Sequence, residues 1–525
     1  MHVSLLMIFL LATPLTASLL MAVLPSRSVS TLVFEALHAV SVLTIVLLAG
    51  YLIITVLRGG EPIDTLGGWF YLDALGSVFV FLISALGLLT GWFSLSYLRH
   101  DLKAGSIGAV QFKQYYTFFN LFLFTMLLVV LSNNIIMMWI SIEATTIVTV
   151  FLVGSYQTKL ALEAAWKYIV VCTAGVAFGL YGTLLIYANA AEVLLDPAQA
   201  VLWTSLVGAA PQFDAMLIQI AFVFAVVGFG TKAGLFPMHT WLPDAHSEAP
   251  SPVSALLSGV LIKCAVLVII RFYIIAVAAL GPAFPQLVML IIGIISVVIA
   301  SLAVFSSDDL KRKLAYSSVK NIGVVALCLG FGGPLGIAAA LLHCVMHGFT
   351  KALMFCISGN ILMKYGTRSL KKISGIVQVA PTTAVLMIIG LFALSGFPPL
   401  AMFIPEVMAF VAGVSAGYVW IVVILGLALA LIIAAFMLVV SRSVFRKAPE
   451  QLQKKDLGFM ILAPEVIMVV VIVWFGVLMP GPLLKGVESA TAIVMQQPDQ
   501  NVLHNDPLLK DFFAAGELSG SNVNE

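Results

Sequence analysis

Three kinds of ionisable side chain stand inside apolar stretches of this sequence. They are the carboxylates Glu143 and Glu406, the lysines Lys232, Lys263, Lys320 and Lys351, and the imidazoles His343 and His347. A charge at the centre of a bilayer costs roughly 3 kcal/mol or more, so such groups face a bundle interior or a hydrated path and mark function by default. Desolvation draws the proton affinities of lysine and carboxylate together, and histidine starts near neutrality. In series, these types suit a proton relay. His343 and His347 are four apart and share a helix face, with Lys351 a further turn along it. Lys232 lies in Thr231-Lys232-Ala233-Gly234-Leu235-Phe236-Pro237, with His239 and His246 shortly after.

Each group has a structural alternative. Lys320 and Lys351, near span ends, either join the relay or snorkel to the interface. For Glu143, Lys232 and Glu406 the alternative is a buried ion pair, which is weak grounds for stability and needs no helix break beside it. Arg271 reads as a structural anchor or a snorkeller rather than a relay member, and Glu465 as a shallow bystander. The HxxxH pair lacks the third ligand that zinc requires. Cys172, Cys264, Cys328, Cys344 and Cys356 stand singly in apolar runs, and Gly228-Phe229-Gly230 fails the spacing of a dinucleotide fingerprint. No metal, redox cofactor or nucleotide is expected in this chain.

The elements that must position these groups follow from composition. Of 525 residues, 62% are hydrophobic and 10% charged, with a mean hydropathy of +1.12. Soluble proteins carry about a quarter charged residues. The apolar runs reach the roughly 20 residues that span a bilayer. The expected fold is an all-α polytopic membrane protein of fourteen transmembrane helices. Relevant spans cover 134–155, 214–236, 252–278, 317–331, 335–362, 380–412 and 458–480.

Basic residues gather in alternate loops, at Arg27, Lys311-Arg312-Lys313, 364–372 and 442–455, against Arg58, Lys485 and Lys510 opposite. The positive-inside rule then places both termini outward. It also accounts for the basic residues without nucleic acid. The lipid bilayer is the one partner that composition itself requires.

Two spans are interrupted, at Gly228 to Pro237 and at Ser395 to Glu406. Each break falls in the fourth span of a five-span block, and an odd block length inverts one block relative to the other. Paired broken helices in inverted halves point to a transport site. The organisation expected is three leading spans (1–110), a first repeat (111–280), a second repeat (281–445), then the last span with an outward polar tail (446–525), whose Asn/Ser/Gly-rich end frays.

Lys232-Ala233-Gly234-Leu235-Phe236-Pro237-Met238-His239-Thr240-Trp241-Leu242-Pro243-Asp244-Ala245-His246, with Ala249-Pro250-Ser251-Pro252-Val253-Ser254 and Lys263, resembles the hallmark of the antiporter-like subunits. These serve complex I, multisubunit cation/proton antiporters and group 4 hydrogenases. Asp309 to Ser318, His347-Gly348-Phe349-Thr350-Lys351 and Gly396-Phe397-Pro398-Pro399 extend the likeness over roughly 70–445. The resemblance implies that Glu143 is the family's span-five glutamate, Lys232 its broken-helix lysine, Lys263 the connecting lysine and Glu406 the span-twelve site. One departure stands out. The histidine usual after Tyr-Ser-Ser is absent, and Val319-Lys320-Asn321 stands there instead. Either Lys320 substitutes, or the route runs through His343 and His347.

Size, Glu406 and a short tail favour likeness to component F of hydrogenase-4 or formate hydrogenlyase complexes. The alternatives are an M-type subunit of complex I (NADH-quinone oxidoreductase) and a D-type subunit of a sodium/proton antiporter. The resemblance implies a bacterial or archaeal cytoplasmic membrane, neighbouring membrane subunits, and a peripheral redox module bearing iron–sulfur clusters and, in the hydrogenase case, nickel–iron. The expected cargo is protons or sodium ions. In the proton route expected, protons arrive near His239 and His246, load Lys232 while Glu143 pairs with it, and leave through Lys263 and the histidines toward Glu406.

Overall fold

The computed structural model describes residues 2–26, 28–450 and 452–497. Arg27, Lys510 and the polar end expected to fray lie outside the described residues. Helices dominate because apolar runs in a bilayer must satisfy every backbone group internally. The chain opens with α1 (His2–Val23), α2 (Thr31–Gly59) and α3 (Ala74–Lys103). A short antiparallel hairpin, β1 (Ile63–Thr65) and β2 (Phe70–Leu72), joins α2 to α3.

Next come α4 (Ala109–Leu131), α5 (Ile135–Val153), α6 (Lys159–Val193), the short α7 (Trp203–Ala209) and α8 (Ala215–Ala233). After the break at Gly234 the chain resumes as α9 (Trp241–Glu248). Then α10 (Ser251–Leu256), a π turn at Leu257–Leu261 and α11 (Ile262–Leu280) run on as one span. The second block holds α12 (Ala283–Ser306), α13 (Leu310–Phe331), α14 (Gly333–Tyr365), the short α15 (Ile376–Val379), α16 (Pro381–Leu394), α17 (Phe403–Ser415) and α18 (Val419–Val439). A second π turn, Val440–Val444, ends α18; α19 (Phe459–Val477) and α20 (Gly481–Met495) follow.

Among the described residues thirteen helices have the length and apolarity to cross a membrane. The two halves α16 and α17, interrupted at Ser395 to Met402, supply the fourteenth crossing. Side chains of Ser30, Asp73, Asn134, Thr158, Asp214 and Asp309 accept first-turn amides and fix where helices begin. The centre of the molecule is occupied by α10–α11 and α14, whose apolar windows are 94% and 100% buried. Those are the helices that carry Lys263, His343, His347 and Lys351.

Two details differ from the sequence expectation. Span ten begins seven residues earlier than 317, because Asp309 caps α13 ahead of the basic run. Lys311 therefore lies in a helix, buried, and donates 2.8 Å to the carbonyl of Ala249 at the end of α9. The tail after Pro482 starts with α20, whose Val487, Ala490 and Val494 are buried against α3 and α14.

α6 and α8 approach backbone to backbone. A Cβ on Gly228 would lie 2.1 Å from Gly179 N, and one on Gly182 would lie 2.6 Å from Ala221 O. Small residues at such seams are how membrane helices gain close packing. A second seam joins α12 and α13, where a Cβ on Gly293 would lie 2.9 Å from Leu327 N.

Candidate functional site

Gly234 ends α8 with φ +82, a conformation that suits glycine, and its N–H returns to the carbonyls of Gly230 and Thr231. Trp241, the first residue of α9, donates from Nε1 to Thr231 O at 2.9 Å and ties the two halves of the break together. Lys232 sits in the last turn of α8, where the helix dipole favours a cation. It is completely buried. Its Nζ donates to Thr146 Oγ1 at 2.8 Å and to the Tyr168 hydroxyl at 2.5 Å, and lies 4.7 Å from the Tyr168 ring centroid. Tyr168 shares a further 2.6 Å hydrogen bond with Thr149.

The expected contact between Glu143 and Lys232 is not made. Glu143 is half-buried on α5 and takes a 2.7 Å hydrogen bond from Thr173 of α6, while its Oε2 has no partner. The reason lies in the hydroxyls. Thr146 and Tyr168 stand nearer to the ammonium and satisfy it as neutral acceptors, leaving the carboxylate one step away. Both hydroxyls went unread in the sequence, where a Thr or Tyr in an apolar span looks like an ordinary helix residue.

Lys263 follows the π turn of its span and is completely buried; its Nζ donates to the carbonyl of Ser258 inside that turn. Single π turns inside α-helices cluster at functional positions. Ser258 reaches Ser318 of α13 through a 2.7 Å hydroxyl contact, linking the central helix to the second block. Among the described residues no hydrogen bond joins the Lys232 cluster to Lys263.

The second block holds a cluster of buried polar groups linked residue to residue. Lys351 donates to Leu314 O at 2.5 Å and to the Ser317 hydroxyl. Ser317 O accepts from Asn321 Nδ2 at 2.8 Å. Asn321 Oδ1 lies 3.1 Å from His343 Nε2 and accepts from Lys320 Nζ at 3.2 Å. Lys320 in turn pairs with Glu406 Oε1 at 3.1 Å. The His343 and His347 rings stack with centroids 6.1 Å apart, and both nitrogens of His347 are buried without partners. Lys320 and Lys351 therefore do not snorkel; their exposures are 1% and 0%. Asn321, the hub, was visible in the sequence only as the neighbour of a missing histidine.

Glu406 lies in the first turn of α17, just past the second break. Gly396 closes against it: with φ +68, a Cβ there would fall 1.9 Å from Glu406 Oε2. That oxygen has no partner, as at Glu143. Each block thus carries one carboxylate with a single satisfied oxygen.

The remaining sites divide. His246 is fully buried, stacks on Phe355 at 4.8 Å, and has both nitrogens unpartnered; His239 lies in the first break against Phe236. Near the end of α3, Asp101 accepts from Tyr156 at 2.6 Å, and Tyr156 meets Tyr97 at 3.1 Å, a phenol pair that the sequence did not reveal. Of the two sequence readings of Arg271, anchor or snorkeller, the contacts match the anchor. Arg271 forms a buried bidentate pair with Asp73 at 2.7 Å and 2.7 Å and lies 4.1 Å from the Trp203 ring centroid. Glu465, read from the sequence as a bystander, has a partner. It is completely buried because α19 packs that face on α14, where Asn360 Nδ2 reaches both its oxygens. Among the described residues no cluster of three or more His, Cys, Asp or Glu could hold a metal.

The family described as NADH:quinone oxidoreductase/Mrp antiporter, transmembrane, matches residues 132–432, which contain both breaks and every lysine of the series. The hydrogenase-4 component F homolog of Methylacidiphilum infernorum is 38% identical over 343 residues, covering 65% of this chain and 72% of that protein. Component B of hydrogenase-4 from Escherichia coli is 30% identical over 355 residues, covering 64% of this chain and 49% of that one. In the solved membrane-bound sulfane sulfur reductase, an archaeal respiratory membrane complex, one chain superposes with a TM-score of 0.83 at 23% identity, covering 93% of this chain and 97% of that one. The chain belongs to the NADH:quinone oxidoreductase/Mrp antiporter transmembrane family, as one of its multi-pass antiporter-like subunits.

Proposed function

We propose that this chain carries protons across a bacterial or archaeal cytoplasmic membrane as a subunit of a hydrogenase-4/formate hydrogenlyase-type complex, with both termini outward. The observation that carries the reading is the buried cluster that gathers Lys351, Ser317, Asn321, His343 and the Lys320–Glu406 pair inside the bundle. Buried lysines and imidazoles in series pass protons. They are poor ligands for sodium, which prefers rings of oxygen atoms. Likeness to the component F homolog supports the type of complex.

Protons arrive from the basic-loop side near His239 and His246 and load Lys232. Its ammonium stays on the Thr146 and Tyr168 hydroxyls until a swing releases the proton toward Lys263. His347 and His343 pass it to the Lys320–Glu406 pair and outward. Redox centres, iron–sulfur clusters and nickel–iron, sit in partner subunits in this reading, and their turnover drives the swing. Neighbouring membrane subunits are supported by Glu143, a half-buried carboxylate beside the exposed Thr173 on the flank of the bundle. A carboxylate on that flank is costly unless another protein covers it.

Lys232→Ala in the assembled complex tests the route. Electron transfer should persist while proton pumping in vesicles is lost; undiminished pumping per turnover would refute it.

A further inference from the structure

A cavity of about 570 Å³ opens between the ends of α12 and α18, the start of α13 and the 370–374 segment, on the side of the basic loops. The relay uses none of it. Lys313, Lys371, Arg442, Arg446 and Lys447 line it, with Asp308 as the one acid among the lining residues. Three of these cations are engaged. Lys371 pairs with Asp308 at 2.7 Å, Lys447 with Glu450 at 3.5 Å, and Lys313 donates to Val304 O at 2.5 Å. Arg442 and Arg446 make no hydrogen bond or close ion pair with any described residue, and Arg442 acts on the Asp308 carboxylate only at longer range, helping Lys371 hold its proton affinity down.

Ser443 lines the same cavity. It is completely buried, yet its Oγ has no partner. A buried hydroxyl left unpaired is uncommon and costly. It belongs, with Arg442, to the π turn that ends α18, the kind of irregularity that marks functional positions. Positive-inside bias alone would fill this layer with basic residues. It would not by itself build a cavity whose cations face apolar walls turned toward the bilayer.

The walls toward the bilayer are apolar. Phe305 and Leu438 line the cavity and are 49% and 39% exposed. Leu302 on α12 and Leu427 on α18 are also more than half exposed, and those two helices pack together. A free anion would use only the polar end. A lipid uses both.

We propose that this cavity holds the headgroup of an anionic phospholipid from the leaflet on the basic side. Arg442 and Arg446 bind its phosphate, and its acyl chains lie along the apolar surface of α12 and α18. Basic pockets between spans on this side hold anionic headgroups, and guanidinium forks bind phosphate oxygens in pairs.

The experiment uses the full chain in nanodiscs of equal phosphatidylglycerol and phosphatidylcholine, with retained lipid read by native mass spectrometry. Phosphatidylglycerol should be retained over phosphatidylcholine. Arg442→Gln with Arg446→Gln should lower that retention about tenfold or more. Both arginines are exposed, so the fold should survive; Lys454→Gln with Lys455→Gln, which removes the same charge outside the cavity, should leave retention unchanged. Excess inorganic phosphate should not displace the lipid. Equal retention of the two lipids, no loss in the arginine variant, equal loss in the lysine variant, or displacement by phosphate would each overturn the proposal.

Discussion

The Nζ of Lys320 lies 3.1 Å from Oε1 of Glu406, so a cation on α13 and a carboxylate on α17 form a buried pair beside the second helix break. Lys320 follows Tyr316-Ser317-Ser318, where the sequence departs from the resemblance, and it reaches Glu406 directly. Removing one partner of a buried pair strands the other charge, at roughly 3–5 kcal/mol. Lys320→Met and Glu406→Leu should each lower thermal stability by that order. The double variant should recover most of the loss yet still not pump. Recovery of pumping in the double variant would show the pair to be purely structural.

Tyr168→Phe removes the hydroxyl nearest to Lys232 while keeping the ring that the ammonium overlies. Hydrogen bonds to charged groups contribute about 1.5–3 kcal/mol. Pumping per electron transferred should fall severalfold or more, with assembly unaffected. The control is Tyr181→Phe, on the same helix and half exposed, which should pump normally.

Gly396→Ala should act as a Glu406 variant. Its Cβ would collide with Glu406 Oε2 and push the carboxylate from Lys320. Gly333→Ala shares a positive φ but meets no atom within 4 Å, so it carries only the backbone strain, roughly 1–2 kcal/mol. Pumping should be lost in the first and kept in the second, measured on equal amounts of assembled complex.

Arg271 and Asp73 make the opposite forecast. Their bidentate pair ties α11 to the start of α3, away from the chain of lysines. Asp73→Ala also removes the cap that accepts from Gly76 N. It should lower the melting temperature clearly, while the protein that survives pumps with normal stoichiometry.

The spans and both breaks were legible because apolar length and Gly/Pro interruptions are local properties of the chain. The charged members of the site were legible as anomalies within those spans. Their partners were not. Lys320 and Glu406 are 86 residues apart on different helices, and no spacing rule joins them. Tyr168 and Thr146 looked like ordinary helix residues until packing turned their hydroxyls toward Lys232. The Asn360 partner of Glu465 was hidden because it depends on which face of α19 meets α14. Lys311 looked like part of a loop because the cap at Asp309 lies before the basic run.

The glycine seam between α6 and α8 has a mechanical consequence. Tyr168 rides on α6 and Lys232 on α8, and those helices interlock at Gly179 against Gly228. Any side chain at Gly182 or Gly228 would force those helices apart and carry the Tyr168 hydroxyl away from the ammonium. The spacing between donor and acceptor at Lys232 is therefore set by two residues that have no side chain at all.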